Sequence, residues 1–205
     1  DDGSGDDTLS VCRALAAQDK RIRVLQRPNG GASAARNTGL DAVPNVDWLM
    51  FADADDKLFP GLWQELNTAD VPPDCGMVLF GFRADSGITC AGQLPIGAFA
   101  DLPALGTALF PLLFGHGLLS SPCMKFYRRR DIGTLRFNEA LKINEDVLFN
   151  LQFLQKNSST YFLQGCYYCQ HDVRQGSLSR RLRGDLLQAE AVTRPELERL
   201  LRQHG

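Results

Sequence analysis

The chain has 205 residues, 44% of them hydrophobic and 22% charged, with a net charge of -2 at pH 7. That is the make-up of one ordinary globular domain with enough apolar residues for a sizeable core. It excludes a dedicated nucleic-acid binder, which carries a strong basic excess, and no apolar run reaches the ~20 residues that span a bilayer.

The opening Asp1-Asp2-Gly3-Ser4 belongs to a polar turn. Asp6 or Asp7 can cap a helix running to about Ala17, with Leu9, Cys12, Leu15 and Ala16 on one face. Residues 21–25 read as a short strand, and the turn Arg27-Pro28-Asn29-Gly30-Gly31 leads into a helix from Ala32-Ser33 to about Ala42. Residues 47–53 form an apolar run ending in acids, the pattern of a buried strand. A short helix over 60–67 and a strand over 77–82 follow. Strands alternating with helices predict an α/β domain: a mostly parallel, Rossmann-like sheet with helices on both faces. Ligands of such sheets bind beyond the carboxyl ends of the strands, which is where Asp53 falls. Farther on, the pattern predicts a hairpin turn at 85–87, an apolar helix over 102–113 broken at Gly115-His116-Gly117, and a strand at 125–127 followed by a basic turn. A helix over 146–154, a strand over 160–169 and an amphipathic helix over 182–202, interrupted near Pro195, complete the chain.

Phe51-Ala52-Asp53-Ala54-Asp55-Asp56 carries the strongest chemical pattern. Residues two apart on an extended segment point the same way, so Asp53 and Asp55 can aim two carboxylates at one point. A hard divalent cation, Mg²⁺ or Mn²⁺, takes one or two carboxylates and completes its shell with phosphate and water. Such a cation suits a diphosphate leaving group. Taken alone, the pattern favours a solvated acidic turn. Asp1 and Asp2 can accept hydrogen bonds from a base or ribose, or serve as a capping turn; a calcium loop is excluded because no bidentate Glu follows at the required offset. In Asn29-Gly30-Gly31-Ala32-Ser33-Ala34-Ala35-Arg36-Asn37, small residues allow close packing of a helix start, and Arg36 can pair with phosphate or with the acids of the metal turn. Asp146, in Asn144-Glu145-Asp146, sits near a helix N-terminus, which favours an ionised carboxylate able to act as a general base or simply as a cap.

In order and spacing these four features resemble the family 2 glycosyltransferases of GT-A fold, over residues 1 to about 180. The Tyr167-Tyr168 strand and the Gly176-Ser177-Leu178-Ser179 turn resemble bacterial members. The resemblance implies that Asp1 or Asp2, with Asn29 beside them, contacts the nucleotide. It implies Asp53 on ribose or metal, Asp55 as the principal metal ligand, Arg36 on the phosphate side, and His171 or Arg174 reaching the diphosphate. It implies Asp146 as the base that deprotonates an acceptor hydroxyl, with Asp56 and Glu145 on the acceptor side, giving single displacement with inversion. The expected donor is a UDP-hexose, the cofactor Mn²⁺ or Mg²⁺, and the acceptor a glycan or lipid-linked glycan of a bacterial surface polysaccharide.

Family members begin with a strand, a helix and a second strand before Asp-Asp-Gly-Ser, so the chain reads as an N-terminally truncated GT-A domain whose donor site is incomplete. Residues 1–82 are then the nucleotide-sugar part, 83–181 the acceptor and base part, and 182–205 a terminal helical segment. Six scattered cysteines read as reduced thiols of a cytoplasmic protein. Cys166-x-x-Cys169 has no second pair and reads as a strand with two thiols. Arg128-Arg129-Arg130 and the arginines of the last helix offer peripheral contact with an anionic membrane face, against a solvated turn and a packed terminal helix. The competing functions are a sugar-phosphate nucleotidyltransferase and a non-catalytic nucleotide-sugar-binding module.

Overall fold

The computed structural model describes residues 1–85, 97–99, 118–171 and 186–204. Within them the chain runs α1 (Thr8–Gln18), α2 (Ala32–Ala42), β1 (Trp48–Met50), β2 (Lys57–Leu58), α3 (Leu62–Thr68), β3 (Met77–Ala84) and β4 (Gly97–Phe99). It continues through β5 (Lys125–Arg128), α4 (Arg129–Ile132), α5 (Glu145–Leu154), β6 (Thr160–Gln170) and α6 (Leu186–His204).

The strands form one sheet in the order β1-β5-β3-β6-β2, with β4 also on β6. β1, β3 and β6 run in one direction, as the alternation of strands and helices predicts. Only β3 and β6 are parallel neighbours among the described residues, however. β5 enters antiparallel between β1 and β3, and β2 and β4 pair antiparallel with β6. The sheet is therefore mixed. Local periodicity sets strand direction but is blind to a late strand inserting between two earlier ones.

Residues 21–25 do not join a ladder. Their pairing is a single rung, with the Asp1 nitrogen donating to the Leu25 carbonyl at 2.7 Å and the Arg27 N–H to the Asp1 carbonyl at 3.1 Å. Helix α6 runs unbroken through Pro195. The carbonyl that Pro195 leaves without an amide partner belongs to the exposed Ala191, where water can satisfy it. The face expected on α1 is only half-covered, and Leu15 is exposed. The expected helix over 102–113, the break at 115–117, the turn residues 86 and 87, Arg174, the Gly176-Ser177 turn and Cys90 lie outside the described residues.

Alternation along β5 divides the core between the two faces of the sheet. On one face Tyr127 packs edge-on against Phe51, Phe149 and Phe153, while Phe137 stacks on Phe149. On the other, Phe126 meets Phe80 and the exposed Trp63 of α3.

Residues 118–124 are held by buried donors. The Lys125 ammonium donates to the carbonyls of Leu118, Ser121 and Cys123. The Asn150 amide donates to Leu119 and Ser121, at 2.7 and 3.0 Å, and accepts from the Tyr127 hydroxyl at 2.5 Å. Burial pushes Lys125 down to about 7, with Cys123 and Asp146 pulling it back up. The basic run has structural partners of its own. Arg128 stacks on the Trp48 ring and donates to Cys75, Arg129 reaches the Leu40 and Val43 carbonyls at the end of α2, and Arg130 reaches Pro73. Guanidiniums capping carbonyls explain a cluster that composition alone leaves as a solvated or lipid-facing turn.

Replacing Lys125 with the similarly long Met strands carbonyls that already lie inside the protein. Lys125→Met is expected to destabilise the fold by about 2 kcal/mol or more. Urea denaturation at pH 7 checks this, and a change under about 0.5 kcal/mol would show that water replaces the ammonium.

Candidate active site

The site grows from the start of α2. The Asp2 carboxylate accepts from the Gly30 N–H at 3.1 Å and the Gly31 N–H at 2.7 Å, and pairs with Arg27 at 3.2 Å. A carboxylate there satisfies amides that a helix start leaves free and lies at the positive end of the dipole. Gly3, at φ +72°, allows the close approach: an added Cβ would meet the Asn29 nitrogen at 2.8 Å. Asn29 thus lies in the turn against which the opening segment folds. Asp1 differs from Asp2. One of its oxygens takes a long contact of 3.4 Å from the Ser4 N–H, while the other is buried with no hydrogen-bond partner. Asp1 borders a hollow of about 220 Å³ lined also by Arg23, Leu25, Arg27 and Thr38.

Farther along α2, Asn37 fastens the helix to residues 137–139. Its amide donates to the Phe137 carbonyl at 3.0 Å and to Glu139 at 2.9 Å, and accepts from the Phe137 N–H at 2.8 Å. Arg36 projects beside it over the Phe137 ring. Its guanidinium donates to Asp146 at 2.6 Å and to Asp53 at 3.1 Å, with Glu145 at 3.8 Å. One largely buried cation therefore joins the acidic turn after β1 to the first turn of α5.

Asp146 is placed by an abrupt helix start. Asn144 adopts the left-handed conformation at φ +59°, a geometry Asn tolerates better than most residues, and α5 begins at the next residue. Burial raises the Asp146 carboxyl, Arg36 draws it back, and Glu145 and Asp53 raise it further; the outcome is about 7. Arg36 is itself lowered by burial, but the attraction of Asp146 and Asp53 leaves it raised overall.

The acidic turn is closed by a contact from Asp56 N–H to the Asp53 carbonyl at 3.2 Å. Asp56 is turned inward. Its carboxylate accepts from the His171 N–H at 3.0 Å and is hydrogen-bonded by the Tyr168 hydroxyl. Burial raises the Asp56 carboxyl despite these bonds. Asp55 points out and makes no hydrogen bond or ion pair among the described residues. The His171 imidazole pairs with Asp85, whose carboxyl is lowered mainly by that bond.

The structure thus gathers Arg36, Asp53, Glu145 and Asp146, hangs Asp55 and Asp56 on the adjoining turn, and ties His171 to that turn by its main chain. Asp1, Asp2 and Asn29 form a second group at the start of α2. Reading the sequence passed over Tyr168, whose hydroxyl accepts from the Asp53 N–H at 3.1 Å, and Asn37. The Tyr167-Tyr168 pair is visible in the sequence, but its contact across the sheet is not.

Among the described residues, no three His, Cys, Asp or Glu side chains converge as a protein-only metal cage. Asp53 has one oxygen free of Arg36 and Asp55 is open. This donor set fits a hard cation that draws its remaining ligands from phosphate and water. The local charge fits as well, since several carboxylates surround a single arginine. No helix among the described residues is long and apolar enough to cross a membrane.

Comparison with known proteins bears on the family and the fold. The chain is 34% identical over 73 residues to the uncharacterised glycosyltransferase YibD of Escherichia coli K12, covering 36% of this chain and 21% of YibD. It is 44% identical over 153 residues to the succinoglycan biosynthesis protein ExoW of Rhizobium meliloti, covering 66% of this chain and 46% of ExoW. The structure of residues 1–349 of S. aureus TarS with UDP-GlcNAc superposes with a TM-score of 0.78 at 19% identity, covering 100% of this chain and 60% of that one. The chain therefore spans less than two thirds of each of these relatives. The superposition gives the fold as GT-A. The profile of Glycosyl transferase family 2 matches residues 1–135, and the chain belongs to that family.

Proposed function

We propose that the protein transfers a sugar from a nucleotide-diphosphate sugar, UDP-hexose by preference, to a hydroxyl of a glycan or lipid-linked glycan, with inversion. The observation that carries this reading is Arg36, which holds Asp53 and Asp146 in one network while Asp146 titrates at about 7. Near neutrality such a carboxyl gives up and takes a proton readily, as a general base must. Asp53 and Asp55 would hold Mn²⁺ or Mg²⁺, which when bound neutralises the charge growing on the departing diphosphate.

The residues have separable tasks in this reading. Asp146 accepts the proton of the attacking hydroxyl, with Glu145 beside it on the acceptor side. Arg36 orients Asp146 and restrains its pKa. Asp1, which borders the hollow and has one unpartnered oxygen, is the better receiver of a base N–H; Asp2 and Asn29 shape that hollow by fixing the turn. His171, held by Asp85, lies on the diphosphate side. TarS, which shares the fold, was crystallised with UDP-GlcNAc, and this supports the donor class. A cytoplasmic enzyme working at a membrane face in polysaccharide assembly is the setting these proposals fit.

The direct test is release of nucleoside diphosphate from UDP-hexoses with Mn²⁺; release of pyrophosphate instead would point to a nucleotidyltransferase. Asp146→Asn is expected to lower kcat by about 10²- to 10⁴-fold with the fold intact, and normal turnover would sink the base assignment. Asp55→Ala is expected to weaken Mn²⁺ uptake in the presence of UDP, read by titration.

The pH dependence has a definite sign. Ionised Asp146 is the active form, so kcat/KM should be flat above about 7 and fall as pH drops through it. The contribution to stability runs the other way. The folded state holds this proton more tightly than the unfolded chain, so the carboxyl favours folding most at acid pH. That contribution declines as pH rises from the ordinary 3.8 through about 7. Arg36→Gln removes the neighbour that lowers Asp146 and should move its titration, followed by carboxyl NMR, up by about one pH unit or more.

A further inference from the structure

We propose that Tyr168 is the positioning residue of the acidic turn: its hydroxyl sets the spacing and aim of Asp53 and Asp55, and Glu65 sets Tyr168. This rests on the reading of those two acids as the metal-facing pair. Tyr168 is fully buried, and its oxygen lies where three elements meet. It accepts from the Asp53 N–H at 3.1 Å, hydrogen-bonds the Asp56 carboxylate, and touches the Cys123 thiol of the segment held by Lys125. Both ends of the four-residue turn are thus held by one phenol, and the turn's own contact from Asp56 to Asp53 closes over it. Asp55 has no bond of its own among the described residues, so its direction follows from these anchors.

The placement of that phenol has an identifiable origin. Against β3, strand β6 carries extra residues twice, between the rungs Leu79–Phe162 and Gly81–Cys166 and between Gly81–Cys166 and Phe82–Tyr168. Each extra residue changes which side chains face which side of the sheet. The first irregularity leaves amides without ladder partners. Glu65 of α3 takes them up, accepting from the Gln164 N–H at 2.6 Å and the Gly165 N–H at 3.1 Å, and also from the Tyr167 hydroxyl. The irregular ladder delivers Tyr168 to the acidic side, in register with Phe82 and Leu58. A regular strand would carry its tyrosines elsewhere.

The test is Tyr168→Phe, which keeps the ring and deletes the oxygen, read by Mn²⁺ titration with UDP present and by amide exchange at Asp53. The expected result is Mn²⁺ affinity weaker by about 10- to 100-fold and faster exchange at Asp53, with the thermal midpoint nearly unchanged. Asp56→Ala cuts the other end of the same link. It removes one of the phenol's two bonds, so it should weaken Mn²⁺ by less than Tyr168→Phe does, and the double variant should bind within about twofold of Tyr168→Phe alone, because Asp56 acts on the turn through that phenol. Unchanged Mn²⁺ affinity in Tyr168→Phe would overturn the proposal, as would multiplicative losses in the double variant. Loss of the fold in both single variants would also overturn it, by making the hydroxyl a stability element. If the unsubstituted protein took up no Mn²⁺ with UDP, the metal reading itself would fall, a failure visible before any substitution is made.

Discussion

The arrangement depends on one guanidinium. Arg36 contacts Asp53 from the turn after β1 and Asp146 from the start of α5, two segments far apart in the chain. Without a cation between them, these carboxylates would repel across a partly buried space. With it, the acidic turn and the α5 N-terminus can share one side of the sheet. The planar fork matters because it serves two acids with separate nitrogens, which a lysine ammonium does less well. The same contact tempers Asp146. Burial raises the carboxyl and Arg36 is the main influence that lowers it, with the outcome at about 7.

Around that contact the protein uses polar anchors that lie mostly outside the acidic motifs. Asn37 fastens α2 to residues 137–139, Glu65 fills the irregular stretch of β6, and Lys125 with Asn150 gathers the carbonyls of residues 118–124. Each supplies hydrogen bonds to backbone that leaves regular structure. Irregular backbone is what a site at strand ends is made of, and inside a protein it persists only when such partners are present.

Much of this was legible in the sequence. The helix over 32–42, the strand around 48–50, the helix beginning at Glu145 and the long strand after residue 160 follow from periodicity and turn chemistry, because local pattern determines local structure. The acids at 53, 55 and 146 were legible as well, through their order and spacing. Three things were not. The insertion of β5 between β1 and β3 is a long-range pairing that leaves no local trace. The strand over 21–25 has the right composition, but a strand also needs a ladder. Tyr168 and Glu65 meet the site through a shift in register, and a period-two reading assumes that shift away. Arg128, Arg129 and Arg130 illustrate the same limit, since their carbonyl partners at Cys75, Val43, Leu40 and Pro73 leave no local trace.

The late insertion of β5 governs the order in which the sheet can be made. Among the described residues β1 pairs with β5 alone, so Trp48 must wait for Arg128, and Met50 for Phe126. Beside β1 runs a groove of about 350 Å³ lined by Val43, Val46, Trp48 and Met50. During refolding the edge of β1 that receives β5 stays open until that distant segment returns, and pairings so remote in sequence form slowly. An open strand edge in that interval can template pairing with another molecule. The yield of refolded protein is thereby tied to dilution, while in the finished fold β5 has closed that edge of β1.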